Sequence, residues 1–309
     1  MHCMEQANLV FLITLCLVGL GFSLRHWRII SEQDGKVLSR LLMYTTFPAL
    51  MIVSTLRVPL TPSLLAIPLV SISLGAALLV LAWFGFAKQP VRVRAVLTMG
   101  IGAFNIGLFG FPIVEGIWGR DAMVYAVLYD IGNTVVIFGI VYPVGYYFAS
   151  GGKGAPAVGA LLRRVLRLPP LLGMLVGLTL NGLAVDVPPV LFETLDTLAK
   201  ANKPLVLLLL GIYLSFQLDR AQQFAIVRLL LLRYLAGFAA IALLYAVLPT
   251  ASLLRTTITV CILLPVGMTI LPFSDEFDFD SRVAGTLVNL SLVISFGLLW
   301  VMVYWLGLA

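Results

Sequence analysis

Long apolar runs dominate the chain, and short polar stretches interrupt them at nearly regular intervals. A helix that crosses a bilayer needs about 20 mostly apolar residues. Such runs fall at about 8–24, 38–56, 63–86, 95–117, 122–148, 169–185, 191–216, 223–247, 252–274 and 282–307. The first and sixth are short, and Glu193, Asp196, Lys200 and Lys203 pepper the first half of the seventh. The pattern predicts an all-α membrane protein with ten transmembrane helices.

Charge alternates along the polar stretches. The odd-numbered ones hold Arg25, Arg28, Lys36 and Arg40, then Lys88, Arg92 and Arg94, then Lys153, Arg163, Arg164 and Arg167, then Arg220 with Arg228. The even-numbered ones offer only Arg57, Arg120 and Arg255. Lys and Arg accumulate in short cytoplasmic loops. Both termini are therefore expected on the extracytoplasmic side of the plasma membrane. Asp275, Glu276, Asp278 and Asp280 crowd the ninth connection, but acidic residues weigh little in this rule. The first run lacks a preceding basic segment and a small-residue cleavage site, so it reads as an uncleaved span.

The longest connection, 149–168, contains Ser150-Gly151-Gly152-Lys153-Gly154 and is expected to be a cytoplasmic linker. It separates 1–148 from 169–309, each with five runs. An odd number of crossings inserts two similar halves in opposite directions, the inverted-repeat plan of many secondary transporters. Weak symmetry supports it. An offset of 160 residues superposes Asn105 on Pro265, Gly107 on Gly267 and Pro112 on Pro272. Proline removes a backbone donor and glycine loosens a helix, so helices four and nine are expected to be broken, with Pro112, Pro265 and Pro272 shaping the breaks. Broken backbone at membrane depth persists only where protein or a water-filled cavity surrounds it. Two such breaks in equivalent places mark a binding site, and half-helix N-termini there suit an anion.

The candidate chemistry follows from this placement. Asn105 at the first break can donate to a carboxylate without a charge of its own, and Thr269 at the second can do so with its hydroxyl. Gly107 and Gly267 would give a substrate close access to the backbone. Asp130 lies inside the fifth run, with Asn133 one turn later on the same face. A buried carboxylate is costly and usually functional, so this pair is the candidate ion-coupling site. A structural hydrogen bond between helices is its alternative role. Lys203, just before Pro204, is a candidate partner for a carboxylate. Its alternative is to reach toward the interface. Lys200 is better explained by pairing with Glu193 or Asp196, and Asn289 and Ser291 by interhelical bonding. Trp27, Trp118, Trp300 and Trp305 fall near span ends, as an interfacial belt would.

Composition removes other classes. Hydrophobic residues make up 61% of the chain and charged ones 11%, with a mean hydropathy of +1.06, against roughly 25% charged in soluble domains. The net charge of +6 is spread over loops, so no nucleic acid is expected as a partner. Cys3, Cys16 and Cys261 have no metal-binding spacing, and neither a metal nor a cofactor is expected.

These residues also carry a resemblance. Asn105-Ile-Gly107-Leu-Phe-Gly110-Phe-Pro112-Ile, with Tyr44-Thr-Thr-Phe-Pro48-Ala and Leu128-Tyr-Asp130-Ile-Gly-Asn133, resembles the auxin efflux carrier family. Pro204-Leu before Leu210-Gly211 and the Pro265 to Pro272 element fit as well, and the likeness spans nearly the whole chain. It implies the arrangement of the bile-acid symporter superfamily. Helices 1, 2, 6 and 7 would form a scaffold. Helices 3–5 and 8–10 would form a moving core, with the fourth and ninth crossing at their breaks. It further implies mono- or dicarboxylate substrates, auxin-like or malate- and malonate-like, and a homodimer joined through the scaffold. The short central loop is similar to bacterial members, whose place is the inner membrane. Pro265 stands opposite Asn105, so a symmetric polar pair at the crossing is absent.

The expected function is secondary active transport of a small organic anion, with no enzymatic activity. A proton is preferred as coupling ion over sodium, which wants several clustered oxygen ligands. The drug and metabolite exporter type also has ten spans, but it lacks paired broken helices. An intramembrane enzyme needs a nucleophile and base or metal ligands within spans, which are not visible. A channel does not account for the repeat.

Overall fold

The computed structural model describes residues 2–56, 58, 64, 66–151, 167–214, 220–248 and 252–305. Most of the 149–168 connection, including Lys153, Arg163 and Arg164, lies outside them. The described chain is helical, and its one strand-like pairing joins Phe104 and Val266.

The helices are α1 (His2–His26), α2 (Glu32–Leu41), α3 (Phe47–Thr55), α4 (Ala66–Gly85), α5 (Val91–Gly102), α6 (Phe111–Val136) and α7 (Tyr142–Ala149). After the central connection come α8 (Pro169–Gly182), α9 (Pro189–Tyr213), α10 (Arg220–Val247), α11 (Leu253–Leu263), α12 (Ile270–Glu276) and α13 (Ser281–Trp305). Five described stretches are long and apolar enough to cross a membrane unaided: Gln33–Thr55, Ala66–Gly85, Asp121–Ala149, Arg220–Val247 and Ser281–Val303. The remaining apolar runs fall on shorter, broken or charge-bearing helices, and α5 and α11 have only 12 and 11 residues.

Proline shapes these helices in two ways. Three π-helical turns, Leu42–Thr46, Ile106–Gly110 and Ile137–Val141, each run straight into the next α-helix. In every case a proline is the second residue of that helix: Pro48, Pro112 and Pro143. A proline clashes with the carbonyl four residues back, and widening that turn to π geometry relieves the clash. Pro204, by contrast, sits inside the otherwise continuous α9. Within α6, Gly119 has φ 77° and ψ −171°. Glycine carries no steric penalty there, and the helix is sharply broken at that point.

Packing groups the helices. α1 lies along α9, and α3 packs against α8 and α9. The approach of α1 to α9 is backbone to backbone, since a Cβ on Gly211 would fall 2.0 Å from the Val18 carbonyl oxygen. Small residues allow such contacts in membranes, where lipid removes the usual hydrophobic drive between helices. Elsewhere α4 packs on α5 and α6, α11 on α6 and α10, and α13 on α12 and α5.

Candidate functional site

α5 stops at Gly102 and α11 at Leu263, and both chains leave helical geometry before resuming at Ile106 and Ile270. The two interruptions meet antiparallel, with Phe104 opposite Val266. Asn105 N–H donates to the Pro265 carbonyl at 2.9 Å, and Gly267 N–H to the Ala103 carbonyl at 2.9 Å. Pro265 has no N–H with which to continue α11. Gly267 lets the chains approach, because a Cβ there would sit 3.0 Å from Ala103 Cβ and 3.3 Å from the Phe104 carbonyl oxygen.

Three side chains satisfy other backbone groups that the breaks expose. On α6, Asn133 accepts from Phe104 N–H at 3.0 Å and donates to its carbonyl at 2.9 Å. On α13, Ser291 Oγ accepts from Val266 N–H at 3.0 Å. On α10, the buried Arg233 donates to the carbonyls of Ile101, Gly100 (3.4 Å), Leu264 (3.2 Å) and Pro265 (3.4 Å). Buried backbone polar groups without partners are expensive, and these bonds make a non-helical crossing tolerable in an apolar interior.

Beside the crossing lies a small cavity of about 40 Å³, bounded by Asn105, Gly107, Asp130, Asn133, Gly267 and Thr269 on the side of the breaks. Phe47, Leu50 and Met51 of α3 and Pro170 of α8 close it from the opposite side. Asp130 Oδ1 accepts from Asn133 Nδ2 at 3.0 Å, while Oδ2 faces Gly107, where a Cβ would lie 3.7 Å away. Asn105 Nδ2 and Thr269 Oγ1 are buried atoms with no hydrogen-bond partner among the described residues. Asn105 and Thr269, one from each break, both line this cavity. That space holds no more than a few waters.

The structure therefore brings together Asn105, Gly107, Gly267, Thr269, Asp130 and Asn133. Pro112 stands in the first turn of α6, and Pro265 lies in the crossing itself. Lys203 is not among the residues lining this cavity; it is half-buried on α9. Its neighbour Asn202 is the residue turned to the packed interior, accepting from Thr46 Oγ1 at 2.6 Å. Lys200 pairs with Asp196 on the exposed helix surface.

Comparison with known sequences bears on this geometry. The profile of one family, described as Membrane transport protein, matches residues 6–153 and 157–303, nearly the whole chain. The chain belongs to this membrane transport family. It is the auxin efflux carrier family that the Asn105 to Pro112 segment resembles. An uncharacterised transporter of Methanothermobacter thermautotrophicus is 27% identical over 215 residues, covering 68% of each chain. Another, from Methanocaldococcus jannaschii, is 23% identical over 216 residues, covering 67% of this chain and 68% of its own. The protein is a multi-pass membrane transporter and not an enzyme.

In this transporter a larger cavity of about 380 Å³ is lined by residues that neighbour those of the small one in sequence. Met43 and Tyr44 lie one turn before Phe47, Tyr142 one turn after Phe138, and Pro272 three residues after Thr269. Pro169 lines the larger cavity and Pro170 the smaller. Lys36, Arg40 and Arg167 face this vestibule, as do Asp275 and Glu276. Hydroxyls engage both acids: Asp275 accepts from Ser39 (2.6 Å), Tyr213 (2.7 Å) and Ser281 (2.7 Å), and Glu276 from Tyr142 (2.5 Å). Lys36 also lies 3.8 Å from Asp278, so the basic and acidic groups around this vestibule are nearly balanced.

Reading the sequence missed both Arg233 and the vestibule. Arg233 had a signal, a lone arginine within Leu230-Leu-Leu-Arg233-Tyr-Leu, because an intramembrane charge is a functional candidate by default. The vestibule had none, since its residues come from four distant segments.

Proposed function

We propose that this transporter is a secondary active carrier of a small organic anion, a mono- or dicarboxylate, coupled to a proton through Asp130. The observation that carries the reading is that Asn105 and Thr269, whose Nδ2 and Oγ1 have no hydrogen-bond partner among the described residues, line one cavity from the two crossed breaks beside Asp130. Two donors without protein acceptors suit a carboxylate, which accepts at both oxygens. The half-helices that begin at Ile106 and Ile270 add partial positive charge, and Arg40 and Arg167 line the vestibule nearby. Asp130 has only Asn133 as a hydrogen-bonding neighbour among the described residues, which leaves room for a proton on Oδ2.

The proposed architecture is ten spans in two inverted repeats, 1–148 and 169–309, joined by the 149–168 linker. The connections support it. Asp278 contacts both Lys36 (3.8 Å) and Arg92 (3.5 Å), and Gln222 reaches Asp280 at 3.5 Å. The first, third, seventh and ninth connections thus gather at one end, as alternate crossings require. By the charge rule that end is cytoplasmic in an inner membrane, with both termini outside. Helices 1, 2, 6 and 7 would form the scaffold, on which two copies pair. Helices 3–5 and 8–10 would form the core. The small cavity, lined by α3 and α8 as well as by the breaks, fits a core that slides or rocks against that scaffold.

The test is ligand-dependent thermal stability of the purified protein across mono- and dicarboxylates, with neutral amides of the same skeletons as controls. Stabilisation by acids that Asn105→Ala weakens supports the assignment. Equal response to acids and amides would refute the anion site.

A further inference from the structure

Arg233 is the one charged residue within the apolar stretch of α10 between Arg228 and Val247, and only 1% of its surface is exposed. Among the described residues its partners are four backbone carbonyls and one aromatic ring, with no carboxylate. One amino group of the guanidinium serves the last turn of α5, at Gly100 and Ile101. The other serves Leu264 and Pro265, just beyond the end of α11. The Phe104 ring lies 4.1 Å from its central carbon, and that ring also borders the small cavity. Nε has no partner.

The last carbonyls of a helix have no intrahelical donor, and each helix C-terminus carries roughly half a negative charge. Two such ends meet here, in a region where water does not solvate them. Together they demand about one positive charge and several donors arranged in a plane. A planar guanidinium has both. A carbonyl cluster of this kind is otherwise what a bound monovalent cation would satisfy.

We propose that Arg233 is a tethered cation that permanently occupies the carbonyl cluster at the crossing, so that this position needs no exchangeable ion. Arg233 is a positioning residue. It locks the two helix ends together beside the Phe104 ring, which belongs to a residue that also lines the small cavity. The melting-temperature arm of the test does not depend on what the transporter carries, whereas the uptake arm rests on the proposed function and uses radiolabelled carboxylates.

The experiment removes the tether and offers the cation in solution. Arg233→Ala is purified and its melting temperature and reconstituted uptake measured, alone and with millimolar methylguanidinium chloride or urea. The expected result is a melting temperature lower by about 4 °C or more and loss of most uptake. Methylguanidinium should restore much of both and neutral urea neither, while the wild type melts equally in sodium, potassium and choline chloride. The proposal is overturned if the variant matches the wild type, if urea rescues as well as methylguanidinium or neither rescues, or if sodium or potassium stabilises the wild type. If Arg233→Ala does not survive purification, Arg233→Lys and Arg233→Met decide. Lysine keeps the charge and methionine only the volume, so lysine should be clearly the more stable and active. Methionine equal to or better than lysine would overturn the proposal.

Discussion

The backbone N–H of Asn105 donates to the carbonyl of Pro265 at 2.9 Å, which joins two positions that stand 160 residues apart in the sequence. That bond uses the main chain of Asn105 and leaves its amide Nδ2 without a partner. Position and chemistry are therefore separable at this residue.

Asn105→Ala tests the separation. The backbone bond to Pro265 survives, and a buried donor that lacks an acceptor disappears. Stability is expected to stay within about 0.5 kcal/mol or to rise, while the concentration of carboxylate needed for half-maximal uptake increases. A melting curve beside a concentration series of uptake reads both.

Asn133→Ala behaves in the opposite way. It strips Phe104 of partners for its N–H and its carbonyl and leaves Asp130 without a neighbour. Each orphaned buried group costs about 1–3 kcal/mol. A large drop in melting temperature is expected, and a variant as stable as the wild type would show that the crossing does not rest on this side chain.

The two glycines of the crossing should differ. A Cβ on Gly267 meets Ala103 Cβ at 3.0 Å, whereas one on Gly107 has 3.7 Å of ordinary contact. Gly267→Val is therefore expected to destabilise by about 1–3 kcal/mol through overpacking. Gly107→Ala should fold normally and lose uptake by narrowing the cavity beside Asp130. Equal melting temperatures for the two variants would contradict the close crossing.

The vestibule gives an ionic-strength effect. Reversing charge with Arg40→Glu or Arg167→Glu should raise the half-saturating concentration more for dicarboxylates than for monocarboxylates. The penalty should shrink as salt is added, because charges near water are screened beyond about 8 Å at 0.15 M ionic strength. Uptake series at low and high salt provide the check.

These residues also show what the sequence could disclose. The breaks were legible because proline and glycine act locally, and the Asp130–Asn133 pair because three residues on a helix make one turn. That the two breaks touch is a tertiary fact, which only the family resemblance anticipated. Lys203 lies half-buried on α9 outside the lining of the small cavity, and its neighbour Asn202 is buried, a register that residue type alone does not disclose. The carbonyl partners of Arg233 and the Val266 N–H that Ser291 accepts from are remote in sequence, so neither role is readable from local pattern. The acidic ninth connection looked anomalous in the charge pattern. In the fold, Asp275 and Glu276 turn toward hydroxyls of Ser39, Tyr142, Tyr213 and Ser281, which are remote in sequence.

The most direct test of the account is uptake of radiolabelled carboxylates into proteoliposomes, with and without an imposed pH gradient, for the wild type and Asp130→Asn. The account predicts accumulation driven by the gradient in the wild type. In the variant the gradient should have no effect, while exchange of substrate across the membrane persists. Gradient-driven accumulation that is equal in both proteins, or wild-type uptake indifferent to the gradient, would contradict proton coupling through Asp130.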